Sequence, residues 1–211
     1  MSSEAELKGL ISDLIKSLAD MIKFIIPKTL VKDTLTKFYD KGLDEMENKF
    51  GINFTRNPKK IEFLEDYTFD NIKDMNEEMA AKLRKELSQG IMNLENFDQL
   101  KDRVQTVMDV SVNRAKMIAR TETNRALNVA HKDAAIQIGA PMVKWCSVVV
   151  DARTSPICVA MNSKYGDEAK AIPMNEKFKV NVGGKAYEFD ISPFHVNCRT
   201  RILYSVREDD E

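Results

Sequence analysis

Gly139-Ala140-Pro141-Met142-Val143-Lys144-Trp145-Cys146-Ser147-Val148-Val149-Val150 is where this chain changes period. Before Gly139, apolar residues recur at helical spacing. After Pro141, Val143, Trp145, Ser147 and Val149 alternate with Lys144, Cys146, Val148 and Val150, which predicts a strand buried on one or both faces. Strands that follow helices in a block, rather than alternating with them, indicate an α+β chain. The expected architecture is a helical N-terminal region whose long Ala-rich helix packs against a small C-terminal β-containing unit.

Upstream of the switch, Val112 to Ile138 is the longest unbroken run, with Ser111 as its expected cap and Gly139 and Pro141 closing it. Its apolar face carries Ala115, Ile118, Ala119, Ala126, Val129, Ala130 and Ala134, side chains small enough for another backbone to approach closely. Arg120, Glu122, Asn124 and Arg125 interrupt that face. They read either as a solvated stripe of ordinary helix pairs, worth about 0.2–0.5 kcal/mol each, or as groups meant for the β unit.

Earlier still, a short helix from Asn96 carries Phe97, Leu100, Val104 and Val107. A helix capped at Thr68-Phe69-Asp70 carries Ile72, Met75, Met79, Leu83 and Leu87 and ends at Gly90. Val31, Leu35, Phe38, Gly42 and Met46 mark a helix after Pro27, stopping near Gly51, with Asn57-Pro58 confirming the break. Leu7, Leu14 and Met21 interleave with Ile11, Leu18 and Ile25 as a heptad seam. That seam either packs on its own domain or docks on another subunit. The predicted division is a docking arm over 1–66 and a domain over 67–211, with helices over 67–139 and the β-containing unit over 141–207.

Downstream, Phe178 to Val182 and Lys185 to Phe189 flank Gly183-Gly184, a two-residue hairpin signal. Arg201 to Val206 is the last predicted strand, ahead of an acidic tail.

The net charge of −1 gives no global steering toward nucleic acid or an anionic membrane. The local basic clusters, Arg56 to Lys60 and Arg199 with Arg201, read as solvated surface. Three cysteines supply no disulfide framework. Asp13, Lys16, Asp20 and Lys23 break the apolar N-terminus, so no secretory segment or membrane span is expected and a cytoplasm is the default compartment.

Chemistry gathers late in the chain. Cys158, His195 and Cys198 are soft-to-borderline ligands that suit a tetrahedral zinc ion, with Asp151 or Cys146 as a fourth; the other reading is buried, unligated packing. A thiol nucleophile beside His195 has the right groups, but a His and a Cys three apart on a turn are rarely aligned for proton transfer. No Gly-rich oxyanion loop stands nearby, so no catalytic residue is assigned. His131 reads as a satisfied surface or interface histidine. Arg120, Arg153 and Arg199 offer forks, while Glu122 and Asp151 offer acceptors. With Asn124 they are predicted to form a polar network pinning the long helix to the β unit.

These residues also carry a resemblance. Ala119-Arg120-Thr121-Glu122-Thr123-Asn124, Trp145, Asp151-Ala152-Arg153-Thr154, Cys158 and Pro193-Phe194-His195-Val196-Asn197-Cys198-Arg199 resemble, in order and spacing over roughly residues 85 to 203, the phage Mu F-like minor head proteins, also called head morphogenesis proteins of tailed phages. Met161-Asn162-Ser163-Lys164-Tyr165 resembles that family's short Asn-Gly-Lys-aromatic turn. Ser155 and Thr200 stand where many relatives have further cysteines, which favours a scaffold held by packing and hydrogen bonds.

The resemblance implies a virion protein present in few copies, made in the host cytoplasm and placed at the portal vertex or capsid interior within an oligomeric assembly. It implies a part in head morphogenesis, with packaging or delivery of the genome as an extension and contact with packaged DNA through a local basic patch. No membrane partner is implied. The rival reading is a metal-binding or thiol-based enzyme or toxin-like effector, since Mu F-like units also occur joined to toxin domains; no further domain is expected after residue 207. A free-standing coiled-coil adaptor is the second rival.

Overall fold

The computed structural model describes residues 28–207 apart from Leu94 and Asn96. The heptad seam of Leu7, Ile11, Leu14, Leu18, Met21 and Ile25 lies outside the described residues. Three helices come first: α1 (Lys28–Phe50), α2 (Pro58–Met92) and α3 (Phe97–Ile138). They are followed by β1 (Met142–Ser147), α4 (Pro156–Tyr165), a 3-10 turn over Glu168–Lys170, β2 (Ile172–Pro173), β3 (Phe178–Val182), β4 (Lys185–Phe189) and β5 (Arg201–Val206). The chain is α+β, as the change of period indicates.

Two compact units result, and neither is continuous in sequence. One gathers residues 28–31 and 66–118, the other residues 32–65 and 119–207. Residues 32–65, which the sequence reading gives to the N-terminal arm, therefore belong with the β strands. In the first unit, Met79, Leu83 and Val107 form a small buried cluster, with Val104 and Met108 packed against it. Ion pairs flank it: Arg103 with Glu86 and Glu95, both at 2.6 Å, and Arg114 with Glu78.

In the second unit, β1 is the centre of a three-stranded antiparallel sheet ordered β2-β1-β5, with Trp145 facing Leu203 and Cys146 facing Ile202. Met142, Lys144, Trp145 and Cys146 are all buried, so both faces of β1 are covered. Lys144 reaches that interior by placing its Nζ over the Phe178 ring and donating to Asp190 O at 2.8 Å and Asp190 Oδ1 at 3.0 Å. β3 and β4 form the predicted hairpin around Gly183 (φ 59°) and Gly184 (φ 80°), the left-handed pair that a tight hairpin turn needs. Close helix packing is also present. A Cβ on Gly42 of α1 would lie 2.7 Å from Ala130 Cβ of α3, so glycine and alanine together set the spacing of these two helices.

Several boundaries differ from the sequence reading, each for a local reason. Thr68 is interior to a helix rather than its cap, because Pro58 starts α2 at the position where a missing N–H costs nothing. Ser111 likewise lies inside α3. Its hydroxyl donates to Val107 O at 2.9 Å, so the side chain bonds back within the helix instead of capping it. β1 stops at Ser147, whose partner Arg201 begins β5; beyond that register there is nothing to pair with, and Val149 and Val150 are exposed. Helix α4 escaped prediction, although Ser155-Pro156 is a cap followed by proline at the first helical position. Ser155 Oγ accepts from Cys158 N at 3.2 Å. Met161 to Tyr165 is therefore the end of a helix rather than a turn.

Candidate functional site

The site lies within the second unit and grows from one face of α3. Thr121, Asn124, Asn128 and His131 fall at i, i+3, i+7 and i+10, a polar stripe down an Ala-rich helix. Each of them meets the segment from Ser192 to Ile202. Thr121 Oγ1 accepts from Asn197 N at 2.8 Å, where Asn197 holds a left-handed φ of 62°. Asn124 Nδ2 lies 3.2 Å from Ser192 Oγ, 3.2 Å from Cys198 O and 3.1 Å from Thr200 O. Asn128, fully buried, accepts from Ile202 N at 2.7 Å. His131 Nδ1 sits 3.1 Å from Ile202 O.

The physical meaning of this stripe follows from strand order. β5 is an edge strand, and its open side presents unpaired backbone groups that would otherwise template another strand. The amide and imidazole side chains of α3 satisfy them, so a helix covers the edge. Ser192 Oγ, donating to Thr200 O at 2.8 Å, closes the loop from the other side.

His131 continues outward. Its Nε2 is 3.1 Å from Glu45 Oε2, and Arg201 NH1 donates to both oxygens of the same carboxylate, at 2.9 and 2.7 Å. Both ring nitrogens thus face acceptors, an arrangement that only the imidazolium satisfies fully. Burial opposes that charge and holds the pKa below its ordinary value despite the hydrogen bonds that favour it.

Beside the stripe, Cys158, His195 and Cys198 converge. Cys158 Sγ is 3.0 Å from His195 Nε2, 3.7 Å from Cys198 Sγ and 3.2 Å from Thr200 Oγ1. The three candidate ligand atoms all lie within 4.8 Å of one another. Both cysteines are buried, and His195 is half-buried. The hydrogen bond between the two thiols raises Cys158 and lowers Cys198, while burial resists ionisation at both. The Cys198 sulfur in turn raises His195, against the burial of that ring. A cavity of only about 20 Å³ adjoins the cluster, lined by Cys158, His195, Asn197, Arg199 and Thr200 among others. Ser155 and Thr200, the positions where the resemblance points to further cysteines, line the same cavity.

Of the six residues assigned to a single polar network, the structure keeps only parts together. Asn124 is the one that reaches from α3 to the C-terminal segment. Arg199 grips Asp151 through two bonds of 2.8 and 2.7 Å, and Arg153 N donates to Asp151 Oδ1 at 2.9 Å. This group is exposed, and Arg199 holds the Asp151 carboxyl well below the usual carboxylate range. Glu122 is buried but pairs with Arg125 at 2.8 Å on its own helix. Arg120 is exposed and takes no part among the described residues. Guanidinium groups near a helix surface reach water more cheaply than they reach a core, so short amides rather than arginines make the link. Asp151 and Cys146 are not in the cluster of ligand atoms.

Sequence reasoning missed Asn128, Glu45 and the role of His131. The spacing of Thr121, Asn124, Asn128 and His131 was the available signal, because amides and imidazole recurring on the small-residue face of a helix imply a polar surface to be met.

Residues 81–203 match the family described as Phage Mu protein F like protein, and this stretch is more than half of the chain. The chain belongs to that family. It is also similar to a minor head protein, GP7, of Bacillus phage SPP1, with 30% identity over 139 residues, covering 61% of this chain and 42% of that protein. The chain thus spans less than half the length of this curated relative. No solved structure matches it. The family stretch takes in the whole polar stripe, the Cys/His cluster and the first half of β5. No helix among the described residues is long and apolar enough to cross a membrane.

Proposed function

We propose that this protein is a structural minor head protein of a tailed phage or prophage, held at the portal vertex or the inner capsid wall and acting in head morphogenesis. The family match over residues 81–203 carries the reading. Two features of the second unit support a scaffold rather than an enzyme. The polar stripe of α3 is spent on the 192–202 segment, and the cavity beside the thiols is about 20 Å³, too small for an organic substrate. Arg56, Arg199 and Arg201, the arginines of the basic clusters, are each neutralised by a carboxylate, Asp40, Asp151 and Glu45 respectively. Contact with packaged DNA, which draws affinity from unpaired cations that displace counterions, would accordingly fall to the exposed Lys59 and Lys60 rather than to these arginines.

The test is a phage or prophage carrying a tagged copy of the gene. Quantitative mass spectrometry of purified heads is expected to find the protein at few copies per particle. Deletion of the gene is expected to lower the yield of infectious particles. A chain lacking residues 1–26 is expected to remain folded but to drop out of heads, since the heptad seam is the proposed docking element. Absence of the tagged full-length protein from purified heads overturns the assignment, and normal incorporation of the shortened chain removes the arm from it.

A further inference from the structure

We propose that Cys158, His195 and Cys198 form a soft transition-metal site, with zinc the ion that best suits them. The three come from separate places, Cys158 from the first turn of α4 and the other two from the turn ahead of β5, and folding brings their donor atoms within 4.8 Å. A tetrahedral zinc with Zn–S bonds of about 2.3 Å has an S–S edge of about 3.8 Å, and the two sulfurs stand 3.7 Å apart. Two unligated thiols in contact sit at a similar separation, so the third donor decides between the two.

His195 supplies it in the ligating tautomer. Its Nδ1 is 2.8 Å from Val196 O, a carbonyl that can only accept, so Nδ1 carries the proton. The Nε2 lone pair is thereby aimed at the sulfurs, the arrangement in which a backbone carbonyl orients a metal-bound imidazole. The 3.0 Å from Nε2 to Cys158 Sγ is shorter than a tetrahedral N–S edge of about 3.6 Å, and a shift of the half-exposed ring by about half an ångström opens it.

Charge also balances. Two thiolates, one neutral imidazole and a divalent ion sum to zero, whereas two buried thiolates alone would be costly. Each thiol proton leaves to solvent as the metal binds. The fourth position falls to a water, for which the adjoining cavity of about 20 Å³ has room, with Thr200 Oγ1 at its wall. Bound there, the ion ties α4 to the turn that the α3 stripe already holds.

The test uses the untagged full chain prepared under reducing, anaerobic conditions and titrated with Co²⁺, then with Zn²⁺. One equivalent of cobalt per chain is expected, with thiolate-to-cobalt charge-transfer absorption and a tetrahedral ligand-field band, both erased by one equivalent of zinc. This readout needs no variant. Cys158→Ala and Cys198→Ala are expected to lose stoichiometric binding. Cys146→Ala, which alters a buried thiol of β1 outside the cluster, is expected to keep it. Cobalt binding without thiolate charge transfer, no binding at one equivalent, or a Cys158–Cys198 disulfide in the anaerobic protein overturns the proposal. So does undiminished binding by folded Cys158→Ala.

Discussion

The two units of this chain solve the same problem, burying helix faces, by different chemistry. Residues 66–118 rely on a few Met, Leu and Val side chains and place charges around them as ion pairs, Arg114 with Glu78 exposed and Arg103 with Glu95 partly buried. Residues 119–207 instead bury amides, an imidazole and a lysine, and give each a backbone or carboxylate partner. Apolar contact is tolerant of substitution, whereas a buried polar group must be matched or it costs free energy. The second unit is therefore the one whose sequence is constrained at single positions, and it holds most of the family match.

That contrast can be broken at its core first. Trp145→Ala empties a buried position at the centre of the sheet and is expected to cost about 3–5 kcal/mol, the largest effect of any single truncation. Chemical denaturation followed by circular dichroism measures it. A loss similar to that of Leu83→Ala in the first unit would weaken the contrast, since both would then behave as ordinary cavity mutants. Asn128→Ala comes next. It strands the Ile202 N–H in a buried place, and a cost of about 2–3 kcal/mol is expected from the orphaned donor together with the lost bond. A loss inside experimental error would mean that the α3 stripe does not hold β5.

How much of this was legible beforehand depends on range. The change of period at Pro141, the Gly183-Gly184 hairpin and the last strand are local signals, and they survive in the structure almost unchanged. Ser111 and Thr68 resemble caps in sequence but lie inside helices, Ser111 bonding back one turn to Val107 O and Thr68 because Pro58 starts its helix ten residues earlier. The cluster of Cys158, His195 and Cys198 could be suspected from ligand type, but their meeting depends on α4, whose Ser155-Pro156 start was passed over. Least legible was the division of labour in the polar network. Charge drew attention to Arg120 and Arg153, yet the edge of β5 is met by Asn124, which the sequence places in the network, and by Asn128, whose partner Ile202 N is identified only once strand order is known.

Acid sharpens the comparison further, through His131. Its folded pKa lies below the ordinary 6.5, with burial the leading cause, so the unfolded chain binds the proton more readily. Stability from this group is therefore complete above about 6.5 and is lost as pH falls toward the lowered value, levelling off beneath it. His131→Gln is expected to flatten that part of the profile, and denaturation midpoints collected from neutral to mildly acidic pH will show whether it does. A midpoint that instead rises on acidification would mean the Glu45 carboxylate outweighs burial and that the ring works as an imidazolium.

The smallest effect belongs to the first unit, and it bears on the contrast most directly. Arg103 reaches Glu86 and Glu95 together, with every bond near 2.6 Å, yet the group is only partly buried, and side-chain entropy and screening offset much of the attraction. Arg103→Met keeps an unbranched apolar stem and removes the charge. Its loss is expected to fall below that of Asn128→Ala and to shrink as salt shortens the screening length. The Asn128→Ala loss, being a matter of buried hydrogen bonds, is expected to be nearly independent of salt. Denaturation of both variants at low and high ionic strength separates the two kinds of polar contact. An Arg103→Met loss that is large and insensitive to salt would show the first unit also depends on matched polar groups, and the distinction between the units would fall.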